Sequence, residues 1–284
     1  MTPKTWLITG ASAGFGRIMT ERLLDRGDHV AATIRREGAL TDLKERHGER
    51  LHVLDLDVSD GAAVCRTVDE AFAWAGRIDV VVSNAAYGLF GAAEELSDAQ
   101  IERQIATNLT GSIRLICAGL PHLRAQGGGR IMQVSSEGGQ IAYPNFGLYH
   151  ATKWGIEGFV EAVAQEVAPF GIDFVIVEPG PTGTSFGAGL DMSEPMAAYD
   201  DTPSGEIRHA LVNGSFEIRG DAWRTVDAMI HAADADHPAL RLALGSTAYQ
   251  NIDRALTARL EALRQQKTVA FAADQIEATG PSNV

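Results

Sequence analysis

Short runs of consecutive β-branched and aliphatic residues alternate along this chain with longer segments whose apolar positions recur every three or four residues. The runs TWLIT, HVAATI, LHVLDL, IDVVVS, RIMQVS and IDFVIVEPG are nearly continuous in apolar character. Strands with one wet face alternate apolar and polar residues, so continuous runs predict strands covered on both faces. Between them the periodic segments predict helices over about 16–26, 60–75, 98–123 and 147–167, with a short charged helix after the second run. In the segment 147–167, Ile156, Phe159, Val160, Val163 and Val167 form the apolar stripe, and Pro169 ends it. Strand and helix in strict alternation predict an α/β protein whose doubly wound parallel sheet of about seven strands carries helices on both faces.

The regularity fails between Pro181 and Gly220, where Gly, Pro, Ser and Asp accumulate around short apolar pieces. Such a segment inside a compact α/β domain predicts a long loop with one or two small helices, placed as a lid over a binding site. Order resumes over 221–232, in the strand-like LRLAL, and in a helix over about 248–264. No linker or repeat divides the chain, which predicts one domain over 1–266 and a weakly patterned tail over 267–284.

Composition narrows the function classes. A chain that is 45% apolar and 21% charged is ordinary for a soluble globular protein, and a formal charge of −13 argues against nucleic acid or an anionic membrane as partner. Cys65 and Cys117 are the only cysteines and lie far apart, so neither a disulfide framework nor zinc spacing is present. The histidines are scattered without a ligand pattern, and no metal is expected. No signal-like apolar core opens the sequence and no long apolar run follows; the expectation is a cytoplasmic protein.

Two stretches carry chemistry. The first strand runs into TGASAGFG, which puts Gly10, Gly14 and Gly16 at a strand-to-helix turn. Glycines there allow tight geometry and close approach of a pyrophosphate, which the free N–H groups and dipole of the following helix stabilise. The second is YHATK, in which Tyr149 and Lys153 stand four apart on one helix face, close enough for the ammonium to bias the phenol toward ionisation.

With these motifs the chain resembles the short-chain dehydrogenases/reductases, over about residues 5–245. The resemblance rests on TGxxxGxG at 9–16, on SNAAYG with Asn84, Ala85 and Ala86 where the family carries NAG, on VSS with Ser136, on YxxxK, and on PGPTGT at 179–184 where the family carries PGxxxT. It implies a Rossmann fold and an oxidoreductase that interconverts a ketone or aldehyde and a secondary alcohol by hydride transfer. Tyr149 would be the general acid/base, Lys153 its electrostatic partner and Ser136 the group that holds the substrate oxygen. Asn108 would hold a water that relays protons to Lys153. Ser135 competes with Ser136 for its role, and spacing favours Ser136. His150, adjacent to the tyrosine but pointing elsewhere on the helix, is expected to be structural.

The resemblance also implies the cofactor contacts: Gly10, Ser12, Gly14, Phe15 and Gly16 in the first turn; Asp57 and Val58 at the adenine; Asn84, Ala85 and Ala86 after the fourth strand; Tyr149 and Lys153; and Pro179, Gly180, Thr182 and Thr184 at the nicotinamide. In the family an acidic residue at the end of the second strand selects NAD. Here Ile34 takes that place and Arg35 and Arg36 follow, a pair suited to the phosphate of NADP. NADP(H) is therefore the expected cofactor.

Tyr87, Glu137, Tyr143 and Phe186 are the expected substrate contacts, with Leu89, Phe90, Ile141, Phe146, Leu190 and Met192 completing an apolar wall suited to a hydrophobic small molecule. Glu137 has an equally good reading as a loop cap. A homodimer or homotetramer through the helices 98–123 and 147–167 is the family's habit. A non-catalytic NADP(H)-binding regulator, or a dehydratase or epimerase that keeps its hydride, remains as the alternative.

Overall fold

The computed structural model describes residues 2–215 and 217–274. β1 (Thr5–Ile8), α1 (Gly14–Asp25), β2 (His29–Ile34), α2 (Thr41–His47), β3 (Leu51–Asp55), α3 (Gly61–Ala75) and β4 (Val80–Ser83) build the first half. A two-residue strand β5 (Leu89–Phe90) follows, then α4 (Asp98–Gln104), a π-helical segment Ile105–Gly111, α5 (Ser112–Ala125), β6 (Gly129–Val134), α6 (Gly147–Val167) and β7 (Ile172–Pro179). The last part holds β8 (Asp191–Met192), α7 (Pro203–Val212), α8 (Ala222–Asp234), β9 (Arg241–Leu244), α9 (Ser246–Gln265) and α10 (Lys267–Ala272).

Seven strands form one parallel sheet in the order β3-β2-β1-β4-β6-β7-β9. The order reverses between β1 and β4, and the crevice at the carboxyl ends of those strands is the general ligand site of open α/β sheets. Along a strand, successive side chains enter opposite cores. Trp6 and Ile8 pack with Met19, Leu23, Val226 and Met229, whereas Leu7 packs with Val68, Leu115 and Ile156. Both faces are dry, which is why the strand sequences read as unbroken apolar runs.

Three departures from the sequence reading bear on the site. The helix expected over 98–123 is interrupted by seven π-helical residues. Asn108 sits in that segment and spends its amide on the backbone of Tyr87, and Gly111 lies so close to Val58 that a Cβ there would come within 2.7 Å of the Val58 carbonyl oxygen. Periodicity cannot distinguish the two helix types over so short a span. Second, the segment 181–220 contains a strand, β8, which pairs in parallel with β5, so lid and the loop after β4 are one unit. Third, the expected tail begins as a helix, α10; its part from 275 onward lies outside the described residues. Among the described residues no helix is long and apolar enough to cross a membrane, and no cluster of three or more His, Cys, Asp or Glu side chains could hold a metal ion.

Candidate active site

A single cavity of about 400 Å³ runs along the carboxyl edge of the sheet, from Arg35 and Asp57 at one end to Ser136, Tyr149 and Lys153 at the other. Its first half is made mainly of backbone. Gly10 turns the chain out of β1 with φ of 68°, a region that favours glycine, and a Cβ there would lie 2.9 Å from the Cα of Ala85. Gly16 allows α1 to pack on the turn, since its Cβ would meet the Gly10 carbonyl oxygen at 2.4 Å and Asn84 Nδ2 at 2.7 Å. Asn84 ties the two strand ends together by donating from Nδ2 to the carbonyls of Thr9 and Gly10. Ser12, Gly14, Phe15, Val58, Ala85, Ala86, Pro179, Gly180, Thr182 and Thr184 all line this space. An extended groove with a glycine turn and a free helix N-terminus in its floor fits a dinucleotide.

Arg35 stands on the rim, largely exposed, with Nη1 4.0 Å from Asp57 Oδ2. Asp57 is otherwise occupied by the backbone N–H of Ser59, which is the main reason its carboxyl is held below the usual range. Arg36 is exposed and does not border the cavity. Gly16 and Asn108 do not border it either: Gly16 lies beneath the turn, and Asn108 lies behind Tyr87, accepting from its N–H at 3.1 Å and donating to its carbonyl at 2.8 Å. Asn108 therefore shapes the wall by holding Tyr87 in place, with Gln104 as a second donor to the same carbonyl.

At the other end α6 presents Tyr149 and Lys153 on one buried face. Lys153 Nζ donates to the Val134 carbonyl at 3.0 Å and lies 5.6 Å from the Tyr149 ring centre. Burial lowers the lysine to about 8, against the pull of Glu157. The phenol moves opposite to the sequence expectation. Burial pushes Tyr149 up to about 12, the Ser136 hydrogen bond opposes this, and the charges of Glu137 and Glu157 add to the rise. In the chain alone desolvation dominates, so the phenol is held protonated.

The two serines separate cleanly. Ser135 Oγ donates to Glu157 Oε1, whereas Ser136 Oγ accepts from the Gly138 N–H at 3.1 Å and meets the phenol. Behind them lies a polar network that sequence reasoning missed. Glu157 and Glu178 are both buried and share Arg241, which also holds Glu161, while Gln140 Nε2 donates to Glu178 at 2.8 Å. The signal was present: Glu157 follows Tyr149 and Lys153 at the next four-residue step, inside an otherwise apolar stripe. Gly138 and Gly139 let the serine loop lie on α6. Cβ atoms there would fall 2.4 Å from His150 Nδ1 and 1.7 Å from Glu157 Oε1. His150 Nε2 accepts from the Tyr143 N–H at 3.3 Å, which leaves Nδ1 to donate to the Gly138 carbonyl at 3.0 Å. Burial lowers its pKa, so this strut is neutral.

The remaining wall is apolar: Tyr87, Phe90, Tyr143, Phe146, Phe186 and Leu190, joined by Ile207 and Leu211 from α7. Three residues expected here do not border the cavity. Leu89 is buried within β5, Ile141 packs with Ala248 and Ile252 of α9, and Met192 is 45% exposed. The lid is fastened by Glu95, whose side chain is fully buried and accepts from Arg208 of α7, from Ser193 and from the Met196 N–H. Nothing in the local sequence around Glu95 marks it as this hub.

A sequence model described as short chain dehydrogenase matches residues 4–194. The 3-ketodihydrosphingosine reductase of Bacteroides thetaiotaomicron is 34% identical over 230 residues, covering 81% of this chain and 83% of that protein. Among solved structures, a short-chain dehydrogenase from Streptomyces avermitilis superposes with a TM-score of 0.89 at 38% identity, covering 96% of this chain and 99% of that one. An alcohol dehydrogenase from Thermococcus sibiricus, complexed with 5-hydroxy-NADP, superposes with a TM-score of 0.69 at 26% identity, covering 85% and 95%.

Proposed function

The chain belongs to the short chain dehydrogenase family of oxidoreductases, and from that premise we propose that it reduces a ketone or aldehyde on a mostly hydrophobic small molecule to the alcohol, reversibly, with NADP(H). The observation that carries this reading is the meeting of Ser136, Tyr149 and Lys153 at one end of the cavity that Arg35 and the glycine turn border at the other. A nicotinamide dinucleotide, when bound, supplies or accepts the hydride. The chain's part is to orient and to move a proton. Ser136 Oγ holds the substrate oxygen, and Tyr149 Oη delivers the proton that the reduced oxygen needs. A phenol held near 12 is protonated at neutral pH, as a general acid must be. Lys153, mostly protonated below its value of about 8, stabilises the phenolate left behind. The Tyr87, Phe90, Phe146 and Phe186 wall excludes water from this exchange.

Arg35 favours NADP(H) because its guanidinium is exposed on the rim with only a long contact to Asp57, free to turn onto a phosphate. The relative named as a 3-ketodihydrosphingosine reductase and the neighbour complexed with 5-hydroxy-NADP lend support to ketone reduction and to this cofactor. Titration of the purified protein with NADPH and NADH, read by nicotinamide fluorescence, tests it. NADPH should bind at least about tenfold more tightly, and Arg35→Asp should weaken NADPH while leaving NADH nearly unchanged; equal losses for both would overturn the assignment.

A further inference from the structure

Successive turns of α6 grip three consecutive residues at and just past the end of β6. Tyr149 meets Ser136, Lys153 Nζ donates to the Val134 carbonyl at 3.0 Å, and Glu157 Oε1 accepts from Ser135 Oγ. The first two side chains border the cavity; Glu157 does not. Its side chain is nonetheless only 2% exposed, and the charges around it do not balance. Glu157 Oε2 accepts from Arg241 Nη1 at 2.7 Å, and the same nitrogen serves the buried Glu178. Arg241 also reaches Glu161 farther along α6, but that carboxylate is 48% exposed and keeps its water. Two inaccessible carboxylates therefore share one guanidinium.

A buried carboxylate without a cation of its own is costly. The cation that restores the balance is Lys153, one turn back on the same helix face, where Cβ atoms lie about 5–6 Å apart. Of the other groups near the reactive end, Glu137 of the serine loop is bonded to Asn251 and acts on Tyr149, while His150 is a neutral strut. We propose that Glu157 is a positioning residue for the reaction: its carboxylate, fixed by Ser135 and Arg241, is the counter-charge that keeps Lys153 an ammonium. The consequence for turnover rests on the reductase reading, since there Lys153 stabilises the phenolate. The charge balance itself rests on the fold.

The free protein tests this without a substrate. The chain has four lysines, Lys4, Lys44, Lys153 and Lys267, and Lys153 alone of them is buried. Labelling the lysine ε-carbons with 13C and following their NMR signals against pH reads the ammonium directly, the Lys153 signal being the one absent from Lys153→Met. Burial lowers this group and Glu157 opposes the fall, leaving it at about 8. Glu157→Gln still offers Ser135 an acceptor and leaves Arg241 paired with Glu178 and Glu161, but removes the opposing charge. The Lys153 midpoint should then lie at least about one pH unit lower. Glu161→Gln, which loses a carboxylate that water screens, should leave the midpoint nearly unchanged. If Glu157→Gln does not fold, Glu157→Met, neutral and with no amide to satisfy, should give the same fall. An unmoved midpoint in the folded Glu157 variant, or an equal fall in Glu161→Gln, overturns the inference. The two readings fail separately. A lowered midpoint in a protein that reduces no ketone with NADPH sinks the reductase alone; ketone reduction with an unmoved midpoint sinks the role of Glu157 alone.

Discussion

The two ends of the cavity are built differently. The glycine end is made of backbone: Gly10 and Gly16 clear space, Asn84 staples two strand ends, and the nearby charges, Arg35 and Asp57, stand in solvent. The reactive end is made of buried side chains that need one another, with Tyr149, Lys153, Glu137, Glu157 and Glu178 all nearly inaccessible. The first achieves recognition by shape, where an added atom does harm. The second achieves reactivity by desolvation, where the harm comes from removing or recharging a group.

Perturbing one end at a time tests that division. The largest effect should come from Tyr149→Phe, which keeps the ring packed against Phe146 and Phe186 but removes the proton donor. A loss of kcat of about 10²–10⁴-fold is expected, with NADPH affinity little changed; substantial turnover in the variant would remove the tyrosine from the chemistry. Next is Gly16→Ala, which drives a methyl to 2.4 Å from the Gly10 carbonyl oxygen. Overpacking of this kind costs about 1–3 kcal/mol, so NADPH should bind about tenfold more weakly and Tm should fall. Normal NADPH binding by Gly16→Ala would show that the turn tolerates displacement.

The smallest effect is a pH dependence. Lys153 carries its charge below about 8 and loses it above, so kcat/KM for reduction should decline as pH rises through that value. The phenol, held near 12, remains protonated throughout and adds no limb of its own in that range. A profile rising through pH 8 would mean that the neutral amine is the working form. Lys153→Met, if active, should lose the limb altogether.

Much of this was legible from the sequence because it depended on short-range regularities. Continuous apolar runs require a sheet covered on both faces, and the glycine turn, Ser136 and the Tyr149–Lys153 pair each lie within one element or one loop. The missed parts join residues far apart in the chain. Arg241 closes on Glu157 and Glu178, Arg208 on Glu95, and Asn251 on Glu137, and no local pattern records such meetings. The π-helical turn at Asn108 was hidden for a related reason: the Asn108 side chain in it bonds the backbone of Tyr87, a residue outside that helix.

The sequence by itself determined the order of strands and helices, the turn at Gly10–Gly16 and the residue types that meet at the reactive end, because backbone conformation and apolar periodicity are local. Only the tertiary structure decided their electrical state. Whether Tyr149 beside an ammonium is raised or lowered depends on how much water, and which distant carboxylates, surround it. Burial and long-range charge are properties of the packed chain, and a four-residue spacing does not record them.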